Sequence, residues 1–162
     1  MISMGIRVTP STIYYVIINY KDNNFDISFE QLQVPKSLHE PNKLRFIRTN
    51  IQSIIMAHSV SHVGIRTAEP IADPNISRIK IEAVIEELIS NTFVHNYYSG
   101  AIKSLSALFG VDSKLLKAGF KNQNLSCIGL PDSSLIPSQN QAEALSAAYA
   151  VIINGKDKVN VN

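Results

Sequence analysis

Cysteine is nearly absent from this sequence: Cys127 is the only one among 162 residues. A single thiol cannot form a disulfide within the chain or supply a cysteine-rich zinc site. Residues 1–10 lack the basic segment and apolar run of a signal peptide, and no stretch approaches the ~18 consecutive apolar residues of a spanning helix. We therefore expect a cytoplasmic protein with no membrane partner.

Charged residues are also sparse, at 17%, and they leave a net charge of only +2. With a hydrophobic fraction of 45%, the chain is not expected to be disordered, and its length fits one domain. We predict that domain over residues 1–154 and a flexible tail over 155–162. So weak a net charge neither requires nor excludes a nucleic-acid partner.

Several common functional motifs are missing as well. The seven glycines are scattered and form no phosphate-binding loop, and no serine-hydrolase elbow occurs. His58 and His62 have the spacing of a metal-binding pair, but a helix is expected to end between them and no acid lies close in sequence. Because zinc needs further protein ligands, we predict no metal site there.

What is present begins with three strands joined by short turns. Residues 2–8 are mainly apolar, residues 12–20 are rich in β-branched and aromatic side chains, and residues 25–34 alternate in polarity. These segments predict an antiparallel meander.

The pattern then changes to helices and two further strands. Apolar residues recur at helical spacing over 44–58 and from Asn75, a predicted N-cap, to residue 88. On this second helix, Arg78 and Glu82 are expected to pair on the side opposite the buried face. The predicted buried face consists of Ile76, Ile79, Ala83, Ile85 and Leu88. Strands are predicted over 62–67 and 92–98.

The last third is predicted to be mostly helical. Ser99 is expected to cap a helix over 100–109 that stops at Gly110, and Asp112 to cap a short helix reaching residue 117. Residues 121–138 are typical of a loop, and a final helix is predicted over 139–153, ending at Gly155. Since a helix precedes each of the last two strands, parallel pairing is favoured. The expected fold class is α/β, with a five-stranded mixed sheet (three antiparallel strands, then two parallel) and helices on both faces.

This element order resembles the RNase H-like superfamily, and three stretches resemble its RuvC-type Holliday-junction resolvases. They are RIKIEAVIEEL at 78–88, AIKSLSALFGVDSK at 101–114 and QAEALSAAYA at 141–150. The sequence also resembles short uncharacterised bacterial proteins of this superfamily. The resemblance implies the fold, and it implies a phosphodiester-hydrolysing site in which carboxylates hold two Mg²⁺ ions.

The positions of those carboxylates are largely changed in this chain. The resemblance places the first-strand acid at Arg7, the fourth-strand acid at Arg66 and a pair on the final helix at Asn140 and Glu143. Glu69 lies three residues after Arg66. Two positions therefore carry the opposite charge to a metal ligand, and a guanidinium does not lose its proton to relieve the repulsion. We expect a degenerate nuclease site with no cofactor.

Two uses of these arginines remain open. One is pairing with Glu143 and Glu69 in a partly buried ion network, and the other is an anion pocket for a nucleic-acid phosphate. The candidate anion-binding residues are Arg7, Arg66, Lys103, Lys114 and Lys117, although the lysines also fit a simple solvated helix face.

Three functional hypotheses follow. The first is a RuvC-like DNA- or RNA-binding or scaffolding subunit without nuclease activity, and the second is a protein–protein interaction module, such as a homodimer, that binds no nucleic acid. The third is a divergent Mg²⁺-dependent nuclease that uses Glu69, Glu143 and Asp73.

Overall fold

A computed structural model describes residues 1–71, 73–130 and 135–159, with side chains through residue 155. Five strands form one sheet: β1 (Ile2–Val8), β2 (Thr12–Lys21), β3 (Asn24–Gln33), β4 (His62–Arg66) and β5 (Asn96–Gly100). Their order across the sheet is β3-β2-β1-β4-β5. The first three strands pair antiparallel, whereas β4 pairs parallel to both β1 and β5. The predicted mixed sheet is confirmed.

Helices cover both faces of this sheet. They are α1 (Glu40–Ala57), α2 (Ile76–Ile89), α3 (Ile102–Phe109), α4 (Ser113–Asn122) and α5 (Gln139–Val159), with a short 3₁₀ turn at Ser126–Ile128. One apolar cluster joins the sheet to α1 and α2, and a second joins its other face to α3, α4 and α5. Glu143, the residue on which the site described below is centred, is on α5 and so lies on the second face.

Helix α5 lies directly against the central strands because the sheet offers it two glycines. A Cβ at Gly5 would overlap the Ala144 carbonyl oxygen, and one at Gly64 would overlap the Ala147 carbonyl oxygen. Side chains two residues apart on a strand share a face, so Arg7 and Arg66 point toward the same helix as these glycines. The close approach brings the first turns of α5 to the carboxyl ends of β1 and β4.

Two predictions around β5 are wrong. Residues 92 and 93 belong to the turn after α2, since the Asn91 and Thr92 amides donate to Leu88 and Ile89 carbonyls at 2.9 and 3.1 Å. Pairing with β4 begins only at Asn96, opposite His62. Ser99 is within β5 and is no cap; Ala101 occupies the N-cap position of α3 and makes no side-chain cap bond.

Two helix ends also differ from the prediction. Helix α4 extends to Asn122, so part of the predicted loop is helical. Gly155 does not end α5: it is buried beside His62 and Asn96, and the helix continues to Val159. The flexible tail stays a prediction for residues 160–162, which lie outside the described part. The caps at Asn75 and Asp112 and the stop at Gly110, with a φ of 65°, are confirmed.

The buried face of α2 is rotated from the predicted one. Ile76 and Ile79 are exposed, whereas Ile81 and Ile89 are buried along with Ile85 and Leu88. This helix has isoleucines around most of its circumference, so periodicity alone did not fix its orientation.

Candidate functional site

Two arginines lie side by side at the carboxyl ends of β1 and β4. Arg7 and Arg66 are direct partners in the parallel register. Arg7 Nε donates a hydrogen bond to Glu143 Oε2 on α5 at 2.6 Å, and its Nη1 donates to the Val8 carbonyl at 2.6 Å. The β1 end is thereby joined to the first turns of α5.

Arg66 is the more deeply buried of the two, with a side chain only 3% exposed. Its Nε is 3.4 Å from Glu143 Oε2, an ion-pair distance, but without hydrogen-bond geometry. Its Nη2 donates to Glu69 and its Nη1 to the Thr67 carbonyl. Arg66 therefore connects β4, α5 and the loop that follows β4.

Each carboxylate has a second partner. Glu143, 5% exposed, accepts from Gln139 Nε2 on its Oε1 at 3.2 Å. Glu69 Oε1 accepts from the backbone N–H of Ile102 at 3.1 Å. Glu69 thus caps α3 from 33 residues away, in the position where Ala101 offers no capping side chain.

A second ion pair adjoins the first. Arg78 Nε donates to Glu82 Oε1 at 2.6 Å, while its Nη2 donates to the Arg66 carbonyl at 2.9 Å. Glu82 Oε2 also accepts from the Ala68 amide at 3.1 Å. The sequence indicated this i,i+4 pair but placed it on the wet side of α2; in the structure both side chains are largely buried beside Arg66. Nothing in the sequence predicted that Arg78 and Glu82 would contact the end of β4.

The charges of this network balance. Its members are Arg7, Arg66 and Arg78 with Glu69, Glu82 and Glu143. Burial lowers the pKa of Arg66, an effect that Glu143 and Glu69 oppose. Burial likewise lowers the pKa of Arg78, and the nearby Arg7 guanidinium adds to the effect. Each guanidinium therefore depends on its carboxylates to compensate for lost hydration.

The remaining predicted residues lie around this network. Asn140 is half-buried in the first turn of α5. Lys103 is exposed on α3, immediately after Ile102, and Lys114 and Lys117 are exposed on α4. Asp73 is exposed in the loop before α2. The structure brings together Arg7, Arg66, Glu143 and Glu69, as the ion-network alternative anticipated.

Within residues 1–71, 73–130 and 135–159, no group of three His, Cys, Asp or Glu side chains is arranged to hold a metal ion. His58 and His62 lie in different environments. His58 is exposed at the end of α1, whereas His62 is buried at the start of β4. The His62 ring bonds Ser61 Oγ at 2.8 Å and Asn96 Nδ2 at 3.0 Å.

Comparison with solved structures identifies the fold of this chain. The Thermus thermophilus RuvC structure matches with a TM-score of 0.69 at 10% identity, covering 98% of this chain and 97% of that one. The chain has an RNase H-like, RuvC-like fold. RuvC from the same organism in complex with a Holliday junction substrate matches with the same TM-score and identity, over 97% and 96% of the two chains.

A fowlpox virus resolvase in complex with Holliday junction DNA also matches this RuvC-like chain. The TM-score is 0.50 at 10% identity, over 98% of this chain and 99% of that one. No family model and no curated protein sequence matches. Within the described residues, none of the helices of the RuvC-like domain is both long and apolar enough to cross a bilayer.

Proposed function

We propose that this chain is a RuvC-like nucleic-acid-binding or scaffolding subunit in which an ion network has replaced a two-metal nuclease centre. The observation that carries the proposal is the position of Glu143. Its Oε2 atom lies 2.6 Å from the Nε of Arg7 and 3.4 Å from the Nε of Arg66. Glu143 is the one carboxylate that the chain retains at the expected metal-binding positions, and two guanidiniums contact it.

Electrostatics favour the loss of metal chemistry. Mg²⁺ needs hard oxygen ligands in near-octahedral geometry, and carboxylates normally provide the compensating charge. A guanidinium about 4 Å from a cation is repelled by roughly 4 kcal/mol per unit of charge at an effective dielectric near 20. Two arginines at the strand ends would both impose this cost. Glu143 and Glu69 already pair with these arginines, so their charge is not available to offset it for two divalent ions.

The charge balance of the network also bears on how nucleic acid would bind. Because the buried arginines are already neutralised, binding in this state must depend on other cations. Lys103, Lys114 and Lys117 are exposed on α3 and α4, which cover the same sheet face as α5. Solvent-exposed lysines that contact phosphates release counterions, which makes the affinity dependent on salt.

A fluorescent Holliday junction, single strand and duplex should therefore bind with an affinity that falls as salt rises. The triple variant Lys103→Ala, Lys114→Ala, Lys117→Ala should bind about tenfold or more weakly, with a shallower salt slope. The control removes the same charge elsewhere, by Lys21→Ala, Lys43→Ala and Lys80→Ala, and should bind like the wild type. Equal loss in both variants, or no binding at low salt, would count against nucleic-acid binding.

A protein–protein interaction module is the second candidate, and a cavity lined in part by exposed apolar side chains favours it. The cavity has a volume of about 500 Å³ and lies between the end of α1 and the loop joining α2 to β5. Its lining includes Met56, 63% exposed, and Phe93, 85% exposed. Large apolar side chains this exposed are typical of contact surfaces.

Light scattering at several concentrations separates this candidate from the first. A homodimer that dissociates in Phe93→Ser, together with no nucleic-acid binding at physiological salt, would favour the interaction module. A monomer that binds nucleic acid would favour the first proposal.

A further inference from the structure

Strand β3 (Asn24–Gln33) lies at one outer edge of the sheet. Its register with β2 is one-to-one over all ten residues, so it contains no bulge. It also contains no proline or lysine, two residue types that commonly protect an outer strand from pairing. In the part of the chain that the structure describes, no strand pairs with its other edge. The strand is therefore a long and regular edge, suited to pair with a further strand.

The backbone groups of β3 point alternately toward β2 and away from it. The N–H of Val34, directly after β3, donates to the carbonyl of Ser11, directly before β2, at 2.9 Å. In this register the even-numbered residues of β3 bond β2, and the N–H and C=O groups of the odd-numbered residues point away from the sheet. Backbone groups exposed in this way bind an extended chain through main-chain hydrogen bonds.

The side chains of β3 differ between the two faces of the sheet. Phe25, Ile27 and Phe29 are half-buried and pack against the cluster that contains α5. Asp26 and Glu30 are exposed on the opposite face, and neither forms an ion pair among the described residues. A strand added at this edge places its alternate side chains beside apolar groups on one face and beside unpaired carboxylates on the other.

A cavity of about 210 Å³ adjoins the acidic face of β3. Asp26 and Ser28 line it from β3, and His58 lines it from the end of α1. Among the described residues, this lining contains one carboxylate and no lysine or arginine. A basic side chain from an added strand matches the lining in charge. In β-strand addition, pockets of this kind receive alternate side chains and give the contact its specificity.

We propose that the open edge of β3 binds an extended segment of a partner protein in which basic and apolar residues alternate. The segment adds to the sheet as a sixth strand. Its basic side chains lie opposite Asp26 and Glu30, and its apolar side chains pack beside Phe25, Ile27 and Phe29. This protein contact is separate from the nucleic-acid binding proposed for the lysines of α3 and α4.

A second copy of this chain is a poorer partner for the same edge. In the antiparallel pairing of two β3 strands that is centred on Ser28, Asp26 lies directly opposite Glu30 of the other copy. Centring the pairing on Phe29 instead makes the two Glu30 side chains diagonal neighbours. Like charges opposite each other destabilise a strand pair. The acids therefore protect the edge against self-association, while they favour a basic strand.

The test uses two fluorescent peptides of the length of β3, one alternating lysine with valine and the other glutamate with valine. Anisotropy measures their affinities, and hydrogen exchange followed by NMR reports on the β3 amides. The lysine peptide should bind about tenfold or more tightly than the glutamate peptide. It should also slow exchange at the outward-facing amides of Ile27, Phe29 and Gln31. Equal affinities, or no added protection of these amides, would overturn the proposal.

Charge removal at the edge tests the sign of the partner. Asp26→Asn combined with Glu30→Gln should weaken binding of the lysine peptide about three- to tenfold. Glu40→Gln combined with Glu87→Gln removes the same charge from α1 and α2 and should bind like wild type. An equal loss in the two double variants would show a general attraction to the acidic groups of the protein and would contradict the proposal.

Gln31→Pro tests strand addition without a change of charge. It removes an outward N–H but none of the N–H groups that bond β2, so it should weaken peptide binding about tenfold or more. Gln31→Ala is the control and should bind like wild type. If Gln31→Pro fails to fold, a lysine peptide with every backbone amide methylated replaces it, since that peptide keeps its charge but has no N–H donors.

Undiminished binding in either form of this test would show that charge alone attracts the peptide, and the proposal would be wrong. Sedimentation of the wild type supplies a further outcome. Self-association that is present in Gln31→Ala and abolished in Gln31→Pro would assign the edge of β3 to a second copy of the chain and would equally overturn the proposal.

Discussion

Arg7 and Arg66 reach the same atom, with their Nε nitrogens 2.6 and 3.4 Å from Glu143 Oε2. The contact joins the ends of two parallel strands to the helix packed across them. Three side chains that lie far apart in sequence thus form one unit, and a buried charge in such a unit is costly to leave alone. The site is consequently expected to contribute to stability as well as to any binding.

Glu143→Gln should destabilise the protein by about 3–5 kcal/mol, because it leaves two largely buried guanidiniums with reduced compensation. Urea unfolding measures the change. Glu87→Gln, which removes an exposed carboxylate paired with Arg48 at 3.1 Å, is the matched control and should cost less than about 1 kcal/mol. Similar losses in the two variants would show that the network is not a structural unit.

Arg66→Lys should cost about 1–3 kcal/mol, although it keeps the charge. An ammonium has no planar fork, so it cannot contact Glu69 and the Thr67 carbonyl in the way Arg66 does. Arg48→Lys, at a half-exposed ion pair, serves as the comparison and should be nearly neutral. A neutral Arg66→Lys in the same urea experiment would contradict the geometry.

Gly5→Ala and Gly64→Ala should each cost about 3 kcal/mol or more, because an added methyl group would overlap the backbone of α5. Gly110→Ala provides a graded control. Its Cβ would meet no atom within 4 Å, but its φ of 65° is left-handed, so about 1–2 kcal/mol is expected. Thermal unfolding ranks the stability of the three variants. If Gly5→Ala or Gly64→Ala loses no more stability than Gly110→Ala, α5 can move away from the sheet.

Stability should fall as the pH drops below about 6.5, the usual pKa of histidine. Burial lowers the pKa of His62 in the folded state, and His95 and the N-terminal amine lower it further. The unfolded chain therefore takes up the proton first, and stability is lost until the pH reaches the folded-state pKa. Melting temperatures from pH 8 to pH 5 should fall less in His62→Gln than in wild type. His58→Gln, at an exposed site, should follow the wild-type profile.

Much of the fold could be predicted from the sequence, because the local residue patterns agree with the tertiary structure. The alternating polarity of residues 25–34 predicted a strand of the meander, and the caps at Asn75 and Asp112 could be predicted from residue type. The start of β5 could not be predicted from the sequence. Residues 92–94 have the composition of a strand, but the length of β4 and the turn that closes α2 decide where pairing begins.

The candidate site was predictable in part. A nearby glutamate made the pairing of Arg7 and Arg66 with Glu143 and Glu69 a reasonable alternative. The capping of α3 by Glu69 was not predictable, because it joins residues 33 positions apart through a backbone N–H. Nor was the burial of Arg78 and Glu82, since the rotation of α2 depends on which of its several isoleucines reach the core.

The most direct test of the central claim is a cleavage assay in Mg²⁺ or Mn²⁺. The substrates are a Holliday junction, a flap, a single strand and an RNA–DNA hybrid. The purified protein should cleave none of them faster than Glu143→Gln does. Metal-dependent cleavage that elutes with the protein and is lost in Glu143→Gln or Glu69→Gln would contradict the account and would establish a divergent nuclease in its place.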